Sequence, residues 1–150
     1  MERLDDVQAR NLALAAIGAV NRRDHEWAAG AVRTLVADEQ ARMVAIDACA
    51  AILLRGIPCG VLDPSARIPV TVPDPPADEL AVAAASELLS GLACADDRRV
   101  VAVLRMLAQG QGFGVLHVLV RAAAAWVDAY VGIDGDTVDS YYAISKDAGV

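Results

Sequence analysis

Every proline in the chain, Pro58, Pro64, Pro69, Pro73, Pro75 and Pro76, falls between Gly56 and Pro76. Each fixes its own φ, removes a backbone donor and pushes the preceding residue out of the α region, so no helix can run through this stretch. The sequence GIPCGVLDPSARIPVTVPDPP therefore reads as an extended connector over residues 56–76. Ile57, Val61, Leu62, Ile68, Val70 and Val72 make it too apolar for a solvated tether, and the expectation is a strap lying along helices. Alanine-rich sequence on either side divides the chain into a first half over residues 5–55, a second half over 77–131 and a tail over 132–150.

Aspartates punctuate both halves. Asp6, or alternatively Asp5 in a capping box with Gln8, starts a helix running to Asn21, with Arg22 and Arg23 at its negative end. Asp24 caps a second helix whose stripe is Trp27, Ala28, Ala31, Val32, Leu35 and Val36. A third starts near Asp38 and is apolar all round from Ala48 to Leu54, which predicts that its end sits at the centre of the fold before Gly56 and Pro58 stop it.

A shift of 72 residues lays the second half over the first without a gap. Asp6 falls on Asp78, Asp24 on Asp96, Arg33 on Arg105, Leu35 on Leu107, and Ala50 and Ala51 on Ala122 and Ala123. Core positions match as well, with Val20 over Leu92 and Ile46 over Val118. The fold class that follows is all-α: a helical bundle of five to seven helices in a single domain, built as two similar three-helix halves joined by the proline-rich extended connector. In the tail, a turn at Asp134 and Gly135 precedes a short helix capped by Asp136, or else the tail is an arm that orders on a partner.

The spacing Leu12-x-x-Ala15-Ala16-x-x-Ala19-x4-Asp24-x3-Ala28-x3-Val32 is similar to the small-residue pattern of tetratricopeptide-type helix hairpins. The likeness covers Leu12 to Val32, with Leu12 and Ala19 where that family carries large aromatics, and an offset of 72 replaces its period of roughly 34. It implies antiparallel pairing of helices and a binding-scaffold role.

Composition narrows the function classes. A net charge of −7 and only 4% aromatic residues argue against nucleic acid and anionic membrane as partners. No apolar stretch free of charge reaches the length of a membrane span, since Arg55, Glu87, Arg105 and Arg121 interrupt the candidates. Three cysteines without CxxC spacing, Cys49, Cys59 and Cys94, fit a reducing cytoplasm, and Cys59 in the connector is the most reactive of them. The N-terminus has no signal-peptide pattern. A hydrophobic content of 56% exceeds what a small domain ordinarily carries and points to a surface for self-association.

Candidate chemistry is sparse. Gly110, Gly112 and Gly114 precede a helix from Val115 to Val131 and form either an anion-presenting loop or an interhelical turn. His117, Arg121 and Asp128 share one side of that helix, with Ala124 and Ala125 between them, as a cleft lining, a solvent face or a subunit seam. Asp24-His25-Glu26-Trp27 is a helix start rather than a zinc motif, because Ala29 stands where a second histidine is needed. Asp134, Asp136 and Asp139 lack the spacing of a calcium loop. No cofactor or metal is expected.

The expected function is non-enzymatic: a scaffold that binds another protein or itself, as a homo-oligomer, through Trp126, Tyr130, Tyr141 and Tyr142. A small-molecule regulator with a pocket between the halves, lined by Leu104, Met106 and Leu107, is the alternative. An enzyme using His117 ranks last.

Overall fold

The computed structural model describes residues 4–55, 68–72, 77–129 and 133–147, and among these every regular element is a helix. In chain order they are α1 (Asp6–Asn21), α2 (His25–Val36), α3 (Glu39–Leu53), α4 (Glu79–Ala93), α5 (Asp97–Met106), α6 (Gly112–Ala129) and α7 (Ile133–Asp147). Side-chain carboxylates cap the first five. Asp5 accepts from the Gln8 N–H while the Gln8 side chain accepts from the Asp5 N–H, so the capping box, rather than Asp6, starts α1. Asp24, Asp38, Asp78 and Asp96 each accept from a backbone N–H two or three residues on.

The two halves repeat in detail at the turn between their first two helices. Arg23 and Ala95, 72 residues apart, are the non-glycine residues in the left-handed region among the described residues, with φ of 61° and 54°. The N–H groups of Arg22, Arg23 and Asp24 donate to the carbonyls of Gly18, Val20 and Ala19. Those of Cys94, Ala95 and Asp96 donate to Ser90, Leu92 and Gly91, the same partners moved by the same offset. The left-handed residue lets the chain reverse while three carbonyls at the helix end still find donors.

The third helices differ in how they are reached. Between α2 and α3 the chain turns at Ala37 and Asp38, whereas α5 runs into α6 through a kinked π-type turn, Leu107–Gln111, with Gly110 at φ 104° in the position of Asp38. Gly112 and Gly114 are therefore helical residues of α6, which begins three residues earlier than the sequence pattern indicated.

The core forms around α6, which packs on α1, α2, α3 and α4. Ile17, Leu35, Ile46, Leu88, Leu116 and Leu119 are among its fully buried side chains. A twofold relation between the halves is incomplete, because α3 makes no contact with α4 comparable to that of α6 with α1. The end of α3 also departs from expectation: Ala51 is exposed and Leu53 and Leu54 are only partly covered.

Asp97–Ala129 forms a helical stretch of 33 residues that is, by length and composition, long and apolar enough to cross a membrane, although Arg105 and Arg121 keep any charge-free run within it shorter than a span. Of its most apolar window 61% is buried inside the bundle. Being the helix around which both halves pack gives it this character.

Each half carries an additional segment at an equivalent place. On α1, Gly18 faces the backbone of Val138, and a methyl group added there would overlap the Val138 carbonyl and come within 2.9 Å of the Tyr142 Cβ. On α4 the equivalent residue is Ser90, whose Oγ accepts from the Ile68 N–H at 2.8 Å, while the Ser86 Oγ donates to the Ile68 carbonyl at 2.6 Å. Ile68, Val70 and Val72 are partly buried against the core. The remainder of the proline-rich connector, with Cys59, lies outside the described residues. The final helix begins at Ile133, so Asp136 lies inside it instead of capping it.

Candidate functional site

Small residues on α6 open a cleft between the halves. Ala124 and Ala125 leave uncovered the space beside the end of α1 and the following turn, and a cavity of about 260 Å³ remains. Val20, Asn21, Arg23 and His25 line it from the first half, and Arg121, Ala124, Ala125 and Asp128 from the second. Arg121 is only 6% exposed, unusual for an arginine, and burial lowers the pKa of its guanidinium from the ordinary value. It stays charged at any physiological pH.

Beside the lining stands a stack of rings beneath the Arg33 guanidinium. His117 stacks on Phe113 with centroids 5.2 Å apart and planes at 18°, and the Arg33 guanidinium covers the same Phe113 ring at 5.3 Å. Burial, and then the charges of Arg121, His25 and Arg33, lower the His117 pKa below its ordinary value. The chain's two histidines, 92 positions apart in sequence, thus sense one another in the fold.

The sequence candidates separate accordingly. Arg121 and Asp128 line the cleft, while His117 stands outside the lining in the aromatic stack. Gly110, Gly112 and Gly114 are not part of the lining either, and Gly112 is buried in the helix against Val36. Arg23 and His25 complete the site although sequence reasoning assigned them to a helix end and a first turn. Only the contact of the α1–α2 turn with α6 reveals their second role.

Trp126 and Tyr141 are partly buried against the core. Tyr142 contacts the edge of Trp27 with centroids 5.4 Å apart and donates its hydroxyl to Asp24 Oδ2 at 2.6 Å. Tyr130 lies outside the described residues. The pocket expected at Leu104, Met106 and Leu107 is a crevice of about 50 Å³ in which Leu104 and Leu107 meet Glu39, Arg42, Met43 and Ala108. Met106 is exposed instead, at 40%.

A second cleft, of about 420 Å³, lies between α1, α3 and α7, with Leu14, Val44, Ile52 and Val138 among its apolar residues and Asp6, Arg10, Asp47 and Arg55 among its charged ones. Desolvation raises the pKa of the Asp47 carboxyl although its surface is largely open to solvent. Charges of both signs there select no ligand class. Among the described residues no group of three or more His, Cys, Asp or Glu is placed to hold a metal ion.

No protein-family model, curated protein or solved structure matches the chain.

Proposed function

We propose that the protein is a non-catalytic binding module whose small-molecule ligand sits in the cleft between the two halves. One observation carries this reading: Arg121, nine-tenths buried, borders an open cavity shared by both halves. A cleft walled by two structural units is where ligand sites recur, because closure of one unit on the other can follow binding. The lining holds no serine, threonine, cysteine or lysine, and its remaining reactive groups are His25 and Asp128. Its volume is slightly below that of typical drug-sized sites, roughly 300–1,000 Å³, which suits a compact metabolite.

A screen of small molecules by thermal shift tests the proposal, comparing the wild type with Ala125→Phe, a partly exposed position at which a ring would fill the cleft. Compounds that stabilise the wild type and not the variant support it. Hits that stabilise both proteins equally would contradict it.

Self-association or binding of a protein partner is the second reading, favoured by the exposure of Val7, Leu80, Val101, Met106 and Ile144. It predicts a particle larger than one chain in light scattering. For a soluble cytoplasmic location the support is that Cys49 and Cys94 are free thiols, with Cys49 buried and its pKa pushed up to about 12 by that burial.

A further inference from the structure

We infer that the cleft between α1, α3 and α7 is where two copies of this chain meet about a twofold axis, with α1 of each copy lying on α3 of the other. The inference rests on the self-association reading, to which it assigns an interface, and is independent of any ligand in the cleft at Arg121.

The internal repeat identifies the occupant. At the 72-residue offset α3 corresponds to α6, and Val44, Asp47 and Ala51 correspond to Leu116, Leu119 and Ala123. Those three residues of α6 are fully buried, whereas Val44 is half-buried and Asp47 and Ala51 are exposed. The two helices also differ in their neighbours from the opposite half. α6 packs on α1 and α2, while α3 makes no comparable contact with their counterparts α4 and α5. The fold therefore already contains one first helix packed across the third helix of the other half, and α1 of a second copy repeats that pairing on α3.

The open walls of the cleft are complementary to themselves. Val7, Arg10 and Leu14 follow one another along α1, and Val44, Asp47 and Ala51 along α3, at helical spacing. Val7 is 68% exposed, an apolar side chain that such a contact removes from water. Among the described residues neither Arg10 nor Asp47 forms an ion pair. A twofold axis through the cleft sets Arg10 of each copy against Asp47 of the other, so one contact makes two ion pairs. Charges of both signs, which select no small ligand, are what a surface needs to meet its own copy. Ala48 and Ala51 let the helices approach closely.

The test is the mass of the full chain by light scattering over a range of concentrations. The samples are the wild type, Arg10→Asp, Asp47→Arg and an equimolar mixture of the two variants. Both positions are exposed, so neither change disturbs the core, and circular dichroism checks that the helices persist. The wild type is expected to be a dimer. Each variant alone should dissociate about tenfold to a hundredfold more readily, because its own dimer sets like charges together twice. The mixture should regain the dimer, since each introduced charge then faces its opposite. A wild type that stays a single chain at every concentration would overturn both this inference and the self-association reading. A dimer unchanged by either variant would leave self-association standing and overturn this interface. Variants that dissociate and do not recombine on mixing would overturn the pairing of α1 with α3 across the axis.

Discussion

The hydroxyl of Tyr142 donates to Asp24 Oδ2 across 2.6 Å, joining the last helix of the chain to the cap of the second. The same oxygen accepts from Lys146 Nζ at 2.8 Å, and Asp24 Oδ1 accepts from the Trp27 N–H at 3.3 Å. One carboxylate therefore caps α2 and holds α7, and Lys146 is the chain's only lysine. Replacing Asp24 by alanine removes a cap worth about 1 kcal/mol and two further bonds from α7. We expect Asp24→Ala to lower stability by about 2 kcal/mol, and Tyr142→Phe by about 1 kcal/mol, in urea denaturation. Equal and negligible effects would mean that α7 is not held by this clasp.

Hydrogen bonds from Lys146 and then Tyr142 hold the Asp24 carboxyl at about 2, below its ordinary 3.8. A carboxylate depressed in the folded state adds stability that is complete above its unfolded value and disappears as pH falls through the folded one. Wild type should therefore lose more stability than Asp24→Asn between pH of about 4 and about 2. Lys146 is raised by the same contact, so its contribution is complete below its ordinary 10.5 and is lost only as pH rises through its higher folded value. Its side chain is half exposed, so the effect is screened and small. Parallel acid titrations of the two proteins would show no difference if the clasp were absent.

At Gly18 the backbone of Val138 comes too close for any side chain. Gly18→Ala must push α7 away, at a cost of about 1–3 kcal/mol from overpacking that outweighs alanine's better helix propensity. Proteolysis should then release a C-terminal fragment faster than from the wild type. A variant as stable and as resistant as the wild type would contradict the tight seating of α7 on α1.

Arg23 and Ala95 bear left-handed backbone angles for which side chains carry a penalty of roughly 1–2 kcal/mol. Ala95→Gly relieves that strain and is expected to raise stability by up to about 1 kcal/mol, after the greater freedom of glycine in the unfolded chain is deducted. A loss of stability, measured by denaturation, would show that the left-handed turn is not the conformation adopted.

Much of the architecture was legible because aspartate caps and the arginines or prolines beyond helix ends are local signals. Asp24, Asp38, Asp78 and Asp96 marked helix starts correctly, and the 72-residue offset that lays Asp24 on Asp96 reappears in matching turn hydrogen bonds, whereas Asp78 was laid on Asp6 and the cap of α1 is Asp5. The glycines at 110–114 misled, because a glycine-rich run does not show which residue needs positive φ, and only Gly110 does. The candidate site was half legible. Arg121 and Asp128 stood out as charges on an apolar helix, but Arg23 and His25 also satisfied the rules for a helix end and a first turn. Nothing local distinguishes a charge at a turn from a charge at a turn that faces another helix. The Gly18 seat for α7 and the Ser90 clasp of Ile68 are likewise long-range contacts that no periodicity encodes.

The most direct test of a ligand site between the halves is the nuclear magnetic resonance spectrum of the imidazole groups. His25 lines the cleft and His117 lies beside it, and the chain has no other histidine, so the side-chain spectrum holds two ring systems. On titration with a compound that raises the melting temperature, our account has both rings shift along one saturation curve, and Ala125→Phe abolishes the response. Rings that stay fixed while the melting temperature rises would place the ligand elsewhere and contradict the account.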